Sequence, residues 1–266
     1  GVRVRGGGYD VALQNNIIWT DSGYGTFVDT NSQQGFESDY NDLFSTGGGQ
    51  LVWWQKPFAD LFDWQVEAGL DEHSIGSTVP DPTLDNPQFV NLAGDDYHLS
   101  SGSTSIDAGH PSSLFANEPS PDGERINLGA YGDTVDASPS PMQYLQIDYP
   151  NYYTDWPNTE GRPILWRTYD STAGTLSGNV DIDLVDAISL AKIADIAVRP
   201  AIDGSYGWSP QASGIDPDTL LRYKIQVTAL SHGGIVDASR EGFSVPETNN
   251  LFYVNDGLTA NDEYST

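Results

Sequence analysis

Cysteine is absent from the 266 residues, which excludes disulfides, thiolate zinc sites and thiol nucleophiles. Cations are scarce: Lys+Arg total 11 against 38 Asp+Glu, a formal charge of −27. Such a field repels phosphate backbones and anionic headgroups, so nucleic acid is not an expected partner. No apolar run is long enough to span a bilayer, and the opening GVRVRGGGYD lacks the apolar core of a signal peptide, so membrane insertion is not expected. Lysine is nearly missing from the first two thirds, where Lys56 stands alone before residue 192. General bases are correspondingly few. What is present is aromatic: 7 Trp, 14 Tyr and 9 Phe supply the bulky core material that disordered acidic chains lack. The length suits one large β domain or two modest ones, and two is the working expectation.

One repeat is visible. Asn16-Ile17-Ile18-Trp19 aligns with Asn41-Asp42-Leu43-Phe44 at an offset of 25, and Phe27-Val28-Asp29 with Leu51-Val52-Trp53 at an offset of 24. Short β-rich segments broken by Gly and Asn at that spacing are what stacked coils require. Asn16 and Asn41 are placed to exchange amide hydrogen bonds between coils. Residues 57–135 break the period. The stretch from Pro57 to Gln65 predicts a short helix with Phe58, Leu61 and Phe62 on one face and Asp60 at its positive end. The Pro-rich segment around Pro80, Pro82 and Pro87 reads as irregular loop, and the whole as a cap over the last coil.

The strings Gly69-Leu70-Asp71, Asn86-Pro87-Gln88-Phe89-Val90, Asp96-Tyr97-His98-Leu99, Ser105-Ile106-Asp107-Ala108-Gly109 and Gly129-Ala130-Tyr131-Gly132 give residues 1–133 a family likeness. They resemble the C-terminal end of bacterial right-handed parallel β-helix proteins. That resemblance implies secretion or surface display, in a group that includes polysaccharide lyases, epimerases and adhesin-like chains.

Residues 136–142 are small, polar and Pro-punctuated, and read as a linker. Beyond them, seven short alternating stretches begin with Leu145-Gln146-Ile147 and end with Gly242-Phe243-Ser244-Val245. Seven strands in about 100 residues match an immunoglobulin-like sandwich. Their order resembles the Ig-like domain of bacterial surface proteins and fungal cell-wall glucan-assembly proteins, with Trp166 and Trp208 packing its core without a disulfide. Asn249 to Gly257 resembles the opening strand of a further β-helix. The expected architecture is therefore all-β: coils and cap over 1–135, linker 136–142, Ig-like sandwich 143–246, and a linker with opening strand over 247–266. Open stacks at both ends predict a piece of a longer tandem array.

Candidate sites follow from residue type. Asp95, Asp96, Asp107 and Asp122 are the candidate ligands for a structural Ca²⁺, although the twelve-residue EF-hand spacing is missing. Asp181 and Asp183 share one strand face, an unfavourable pair unless a cation screens them. Asp71 and His73 are close enough to hydrogen bond, but no Ser or Cys nucleophile accompanies them. In Asp96-Tyr97-His98-Leu99, alternation turns Tyr97 and Leu99 inward and His98 outward. Period-2 geometry sends one of Trp53 and Trp54 inward and the other outward. These two tryptophans, with Tyr152, Tyr153 and Trp156, are the candidate ligand or module-docking surface.

Three functions compete. A structural or adhesive surface module, pairing with neighbouring modules or copies of itself in filaments or layers, predicts cap-mediated contacts between modules and no convergent catalytic groups. A β-helix lyase or epimerase predicts Lys56 or a His beside carboxylates. A glycan-binding module predicts a row of exposed aromatics that would engage polysaccharide. The first accounts best for the shortage of bases, and it places the chain outside the cell.

Overall fold

The computed structural model describes residues 1–77, 86–151, 154–215, 217–240 and 242–246. The chain is mainly β, 40% strand with one short helix, distributed over several small sheets. No described helix is long and apolar enough to cross a membrane.

The first half is built from parallel ladders. Strands β1 (Val2–Val4), β2 (Ala12–Gln14), β3 (Ile17–Thr20) and β4 (Tyr24–Val28) are followed by β5 (Glu37–Asp39), β6 (Asp42–Ser45), β7 (Gln50–Trp54) and β8 (Lys56–Phe58). Pairings β1–β4–β7, β2–β5 and β3–β6 are all parallel, and Val2 faces Thr26, Ala12 faces Glu37, and Ile17 faces Asp42. The expected 25-residue offset is thus the register of β3 on β6. The second alignment is corrected: Phe27 faces Trp53, an offset of 26. The turn Thr46–Gly49 is one residue longer than its counterpart Asp21–Gly23, which moves β7 along relative to β6. A shift from 24 to 26 keeps every side chain on its expected face, because strand faces repeat every two residues.

Between the ladders lie Val4, Val28, Leu43, Leu51 and Val52, all buried. The β8 strand turns back antiparallel on β7 and leads into α1 (Leu61–Ala68), whose Asp60 cap accepts from Asp63 N–H at 3.1 Å. The predicted helix therefore exists but begins at Leu61, since Pro57 and Phe58 belong to β8. A left-handed Gly69 ends it, a conformation glycine adopts without a Cβ clash. Leu61 and Trp64 pack with Phe58 and Leu51 at the end of the stack. Strand β9 (Ile75–Ser77) extends the β3–β6 ladder, and β10 (Phe89–Asn91) with β11 (Asp96–Leu99) forms a bulged hairpin. In β11 Leu99 is buried while Tyr97 is exposed, contrary to the expected inward pair. A two-stranded bulged ribbon does not bury one whole face.

Among the described residues the second half holds nine strands: β12 (Gln143–Tyr149), β13 (Thr154–Asp155), β14 (Arg162–Asp170), β15 (Asn179–Asp186), β16 (Lys192–Pro200), β17 (Ser205–Trp208), β18 (Asp218–Ala229), β19 (Val236–Ala238) and β20 (Phe243–Val245). One sheet has the order β12-β14-β17, the other β13-β20-β18-β15-β16 with β19 against β18. Both line one core, in which Ile147, Ile164 and Trp166 meet Val180, Ile182, Leu184, Ile225, Val227 and Phe243. Alternation drives this: Ile164 and Trp166 are buried while Leu165 between them is exposed. Each fully buried Ile or Val contributes about 1.5–3 kcal/mol over its exposed state.

The small polar stretch between the halves is held in place. Ser138 Oγ accepts from Leu99 N–H at 2.9 Å, and Ser140 donates to Pro121 O at 2.8 Å and to Asp107 Oδ1 at 2.9 Å. The Ser138 hydroxyl thus serves a backbone N–H and the Ser140 hydroxyl a buried carboxylate. Across the junction Arg167 donates to Gly123 O at 2.7 Å and Asp107 O at 3.1 Å, and Tyr144 donates to Gly123 O at 3.2 Å.

Candidate functional site

The four carboxylates expected to hold calcium do not assemble into one group of ligands. Asp95, left-handed at φ 58°, accepts from Tyr97 Oη at 3.1 Å, and Asp96 engages the His98 ring. Asp122 accepts from Glu124 N–H at 3.2 Å, as an Asx turn does. Asp107 is buried, accepts from Ser140, and is pushed up to about 7, chiefly by desolvation. Each is satisfied locally.

Among the described residues the three carboxylates that do converge are Asp181, Asp183 and Asp195, with one oxygen from each within 4.8 Å of the others. The β15–β16 register causes this: Asp183 faces Asp195 directly, and Asp181 lies on the same face as Asp183. Like charges opposed across a ladder repel. Lys192 answers them, with Nζ 2.8 Å from Asp183, in contact with Asp195 and 4.0 Å from Asp181. Burial pushes Asp183 up, and hydrogen bonds to Asp183 and Asp195 push Lys192 up. This oxygen set is able to hold a metal ion, with water completing the shell that Ca²⁺ needs, but an ion there competes with the lysine ammonium. The sequence pointed to Asp181 and Asp183; Asp195 needed the hairpin register.

Trp53 and Trp54 divide as period 2 requires. Trp54 turns to the core, at 5.6 Å from both Trp64 and Phe36. Trp53 lies on the outer face, stacked on Phe27 at 5.8 Å with an interplanar angle of 6°, and Tyr24 sits 5.3 Å away. Arg3 caps this row, 5.2 Å above Phe27. Trp156, expected at a docking surface, is instead wholly buried between Trp208 and Phe243, its indole donating to Glu160 O at 2.8 Å. Tyr152 and Tyr153 lie outside the described residues, as do residues 78–85 of the expected Pro-rich loop and the tail from 247 onward.

The chain matches no known protein family, curated protein or solved structure. The bases expected of an enzyme are engaged elsewhere: Lys56 pairs with Glu67 at 2.6 Å on the surface. His73 pairs with Asp39 at 2.7 Å and not with Asp71. Asp71 is buried, accepting from Trp64 Nε1 at 2.9 Å, Ser74 Oγ at 2.6 Å and Asn41 Nδ2 at 3.1 Å, and desolvation pushes its carboxyl up. Asn41 in turn accepts from Asn16 Nδ2 at 3.0 Å, so a polar string runs across the parallel β3–β6 ladder.

Sequence reasoning missed one gathering. Arg125, Arg167 and Arg240 line a cavity of about 360 Å³ at the junction, together with Tyr40, His73 and Asn151. They come from three separate parts of the chain, so no spacing announces them. The available signal was scarcity: these are three of only eight arginines.

Proposed function

We propose that this chain is a structural module of an extracellular surface protein: the end of a right-handed parallel β-helix followed by an Ig-like sandwich, contacting neighbouring modules through its coils. The observation that carries this reading is the one-sided pairing of β1, β2 and β3. Among the described residues each has a parallel partner along one edge only. Val4 O accepts from Asp29 N–H, and Val11 O from Glu37 N–H, both at 2.9 Å. A strand's backbone groups alternate in direction, so Arg3 and Ala12 present theirs to the other side. Unpaired strand edges template pairing with another strand. The likeness to β-helix and Ig-like surface proteins noted in the sequence supports the same reading, as does the pairing of Lys56 with Glu67 on the surface.

Sedimentation over a wide concentration range tests it. Association that grows with concentration is expected, together with its loss in the Arg3→Pro/Ala12→Pro variant at unchanged circular dichroism. A monomer at every concentration would refute the reading.

A second reading, glycan binding, draws on the outward row of Tyr24, Phe27 and Trp53, since sugar rings stack on such faces. Binding of the chain to immobilised polysaccharides, lost in Trp53→Ala, is its test.

A further inference from the structure

We propose that the cavity at the junction of the two halves binds a compact oxyanion, the phosphate or carboxylate group of a small ligand. Its walls come from both halves. Tyr40 and His73 stack in parallel at 4.8 Å and form one side, and Arg125 lies 5.6 Å over the Tyr40 ring. Arg167 from β14 and Arg240 from the segment before β20 close the other. The volume lies at the small end of ligand pockets, enough for a charged head with a short body.

Three guanidiniums around one cavity repel one another. The Arg125 guanidinium is pushed down to about 10, first by desolvation and then by Arg240 and Arg167. A purely structural cluster would be expected to saturate these charges with carboxylates. Here the compensation is loose. Asp148 lies 3.7 Å from Arg125 and 3.4 Å from Arg167, beyond good hydrogen-bond length, while the charges of Asp237, Asp148 and Asp42 act on Arg240. Glu124 also lines the space, and no ion pair ties it to these arginines among the described residues.

The donors are also incompletely used. Arg167 Nε is buried without a hydrogen bond. The Arg240 guanidinium offers five N–H donors and among the described residues makes one hydrogen bond, to Thr104 O at 3.4 Å, while the backbone N–H of Arg240 donates to Asn151 Oδ1 at 2.8 Å. Unused N–H groups of two guanidiniums around a small cavity are the complement of a phosphate or carboxylate. In a chain of net charge −27, such a focus is a local exception to a field that otherwise rejects anions.

The experiment is calorimetric titration of the whole chain at pH 7 with sodium phosphate and, separately, sodium glucuronate. Sodium chloride at matched ionic strength corrects for screening, and glucose is the neutral control. Saturable binding of at least one oxyanion is expected, with none for glucose. Phosphate alone binding identifies a phosphate ligand, and glucuronate alone a carboxylate. Arg240→Gln should weaken binding by about tenfold or more, as loss of a charge-assisted bond predicts. Because that change also removes a contact to Thr104, Glu124→Gln provides a second readout: it keeps all three arginines, removes a lining negative charge, and should tighten binding. Neither anion binding above the chloride control overturns the proposal, and so does an affinity that neither variant alters. The inference is independent of coil stacking, so Arg3→Pro/Ala12→Pro should leave binding intact whichever way the sedimentation test falls.

Discussion

Asp107 provides the sharpest test of how the junction is built. Its carboxyl is buried and rises from an ordinary 3.8 to about 7, mainly because burial disfavours the charge. Its nearest cation, Arg167, directs Nη2 at the Asp107 backbone carbonyl and only partly offsets this. An acid whose native pKa lies above its unfolded value contributes stability while protonated. That contribution is complete below about pH 4 and disappears as pH rises through 7. The gap between 3.8 and 7 corresponds to at most about 4 kcal/mol. Asn at this position keeps an oxygen to accept from Ser140 and never ionises. The Asp107→Asn variant should therefore match the parent near pH 4 and exceed it by up to about 4 kcal/mol at pH 8. The other acids titrate alike in both proteins and cancel in the difference. Urea unfolding followed by tryptophan fluorescence measures it; with a slope of about 3 kcal/mol/M, the midpoint gap should widen by about 1 M. A gap that stays flat from pH 4 to 8 refutes the burial argument. A variant that becomes the weaker protein as pH rises would show that the carboxylate is held as an anion by a cation, as a calcium ligand would be.

Three further outcomes are expected. Lys192→Met removes the ammonium from among Asp181, Asp183 and Asp195 and should raise affinity for Ca²⁺ severalfold, measured by terbium luminescence and calcium competition; unchanged affinity would show that the triad is no metal site. Trp64→Phe leaves buried Asp71 short of a donor and should cost about 1–3 kcal/mol, whereas Trp53→Ala on the outer face should cost about 1; equal losses in thermal melts would contradict the inward and outward assignment. Gly76→Ala places a Cβ 2.1 Å from Leu43 O in the β6–β9 ladder, and a loss of about 2–3 kcal/mol is expected; a neutral result would argue against that pairing.

Much of this was legible before any coordinates. The Asn16/Asn41 spacing matches the register of β3 on β6, because equivalent residues of a parallel ladder recur at the length of the connection between its strands. The seven alternating stretches of the second half are all strands; β13 and β19 escaped notice because pairs or triplets of residues carry no period. The sites were harder. Asp71 and His73 lie two residues apart, yet the left-handed backbone at Asp71 (φ 56°) separates them, sending one carboxylate into the core and leaving the imidazole for Asp39. Trp156 looked like a surface aromatic from its Tyr-rich neighbourhood, but its indole has a carbonyl partner at Glu160 and so tolerates full burial. The arginine-lined cavity could not be foreseen, since long-range convergence leaves no mark in local sequence.

The two ends of the parallel ladders are not alike. The far end is covered by the reversed β8 strand and by Leu61 and Trp64 of α1, while β1, β2 and β3 have a ladder partner along one edge only among the described residues. That gives the ladders a polarity, like a bolt with a head and a thread. Were the open edge to pair with another strand, as proposed, the covered end would stay outside that contact.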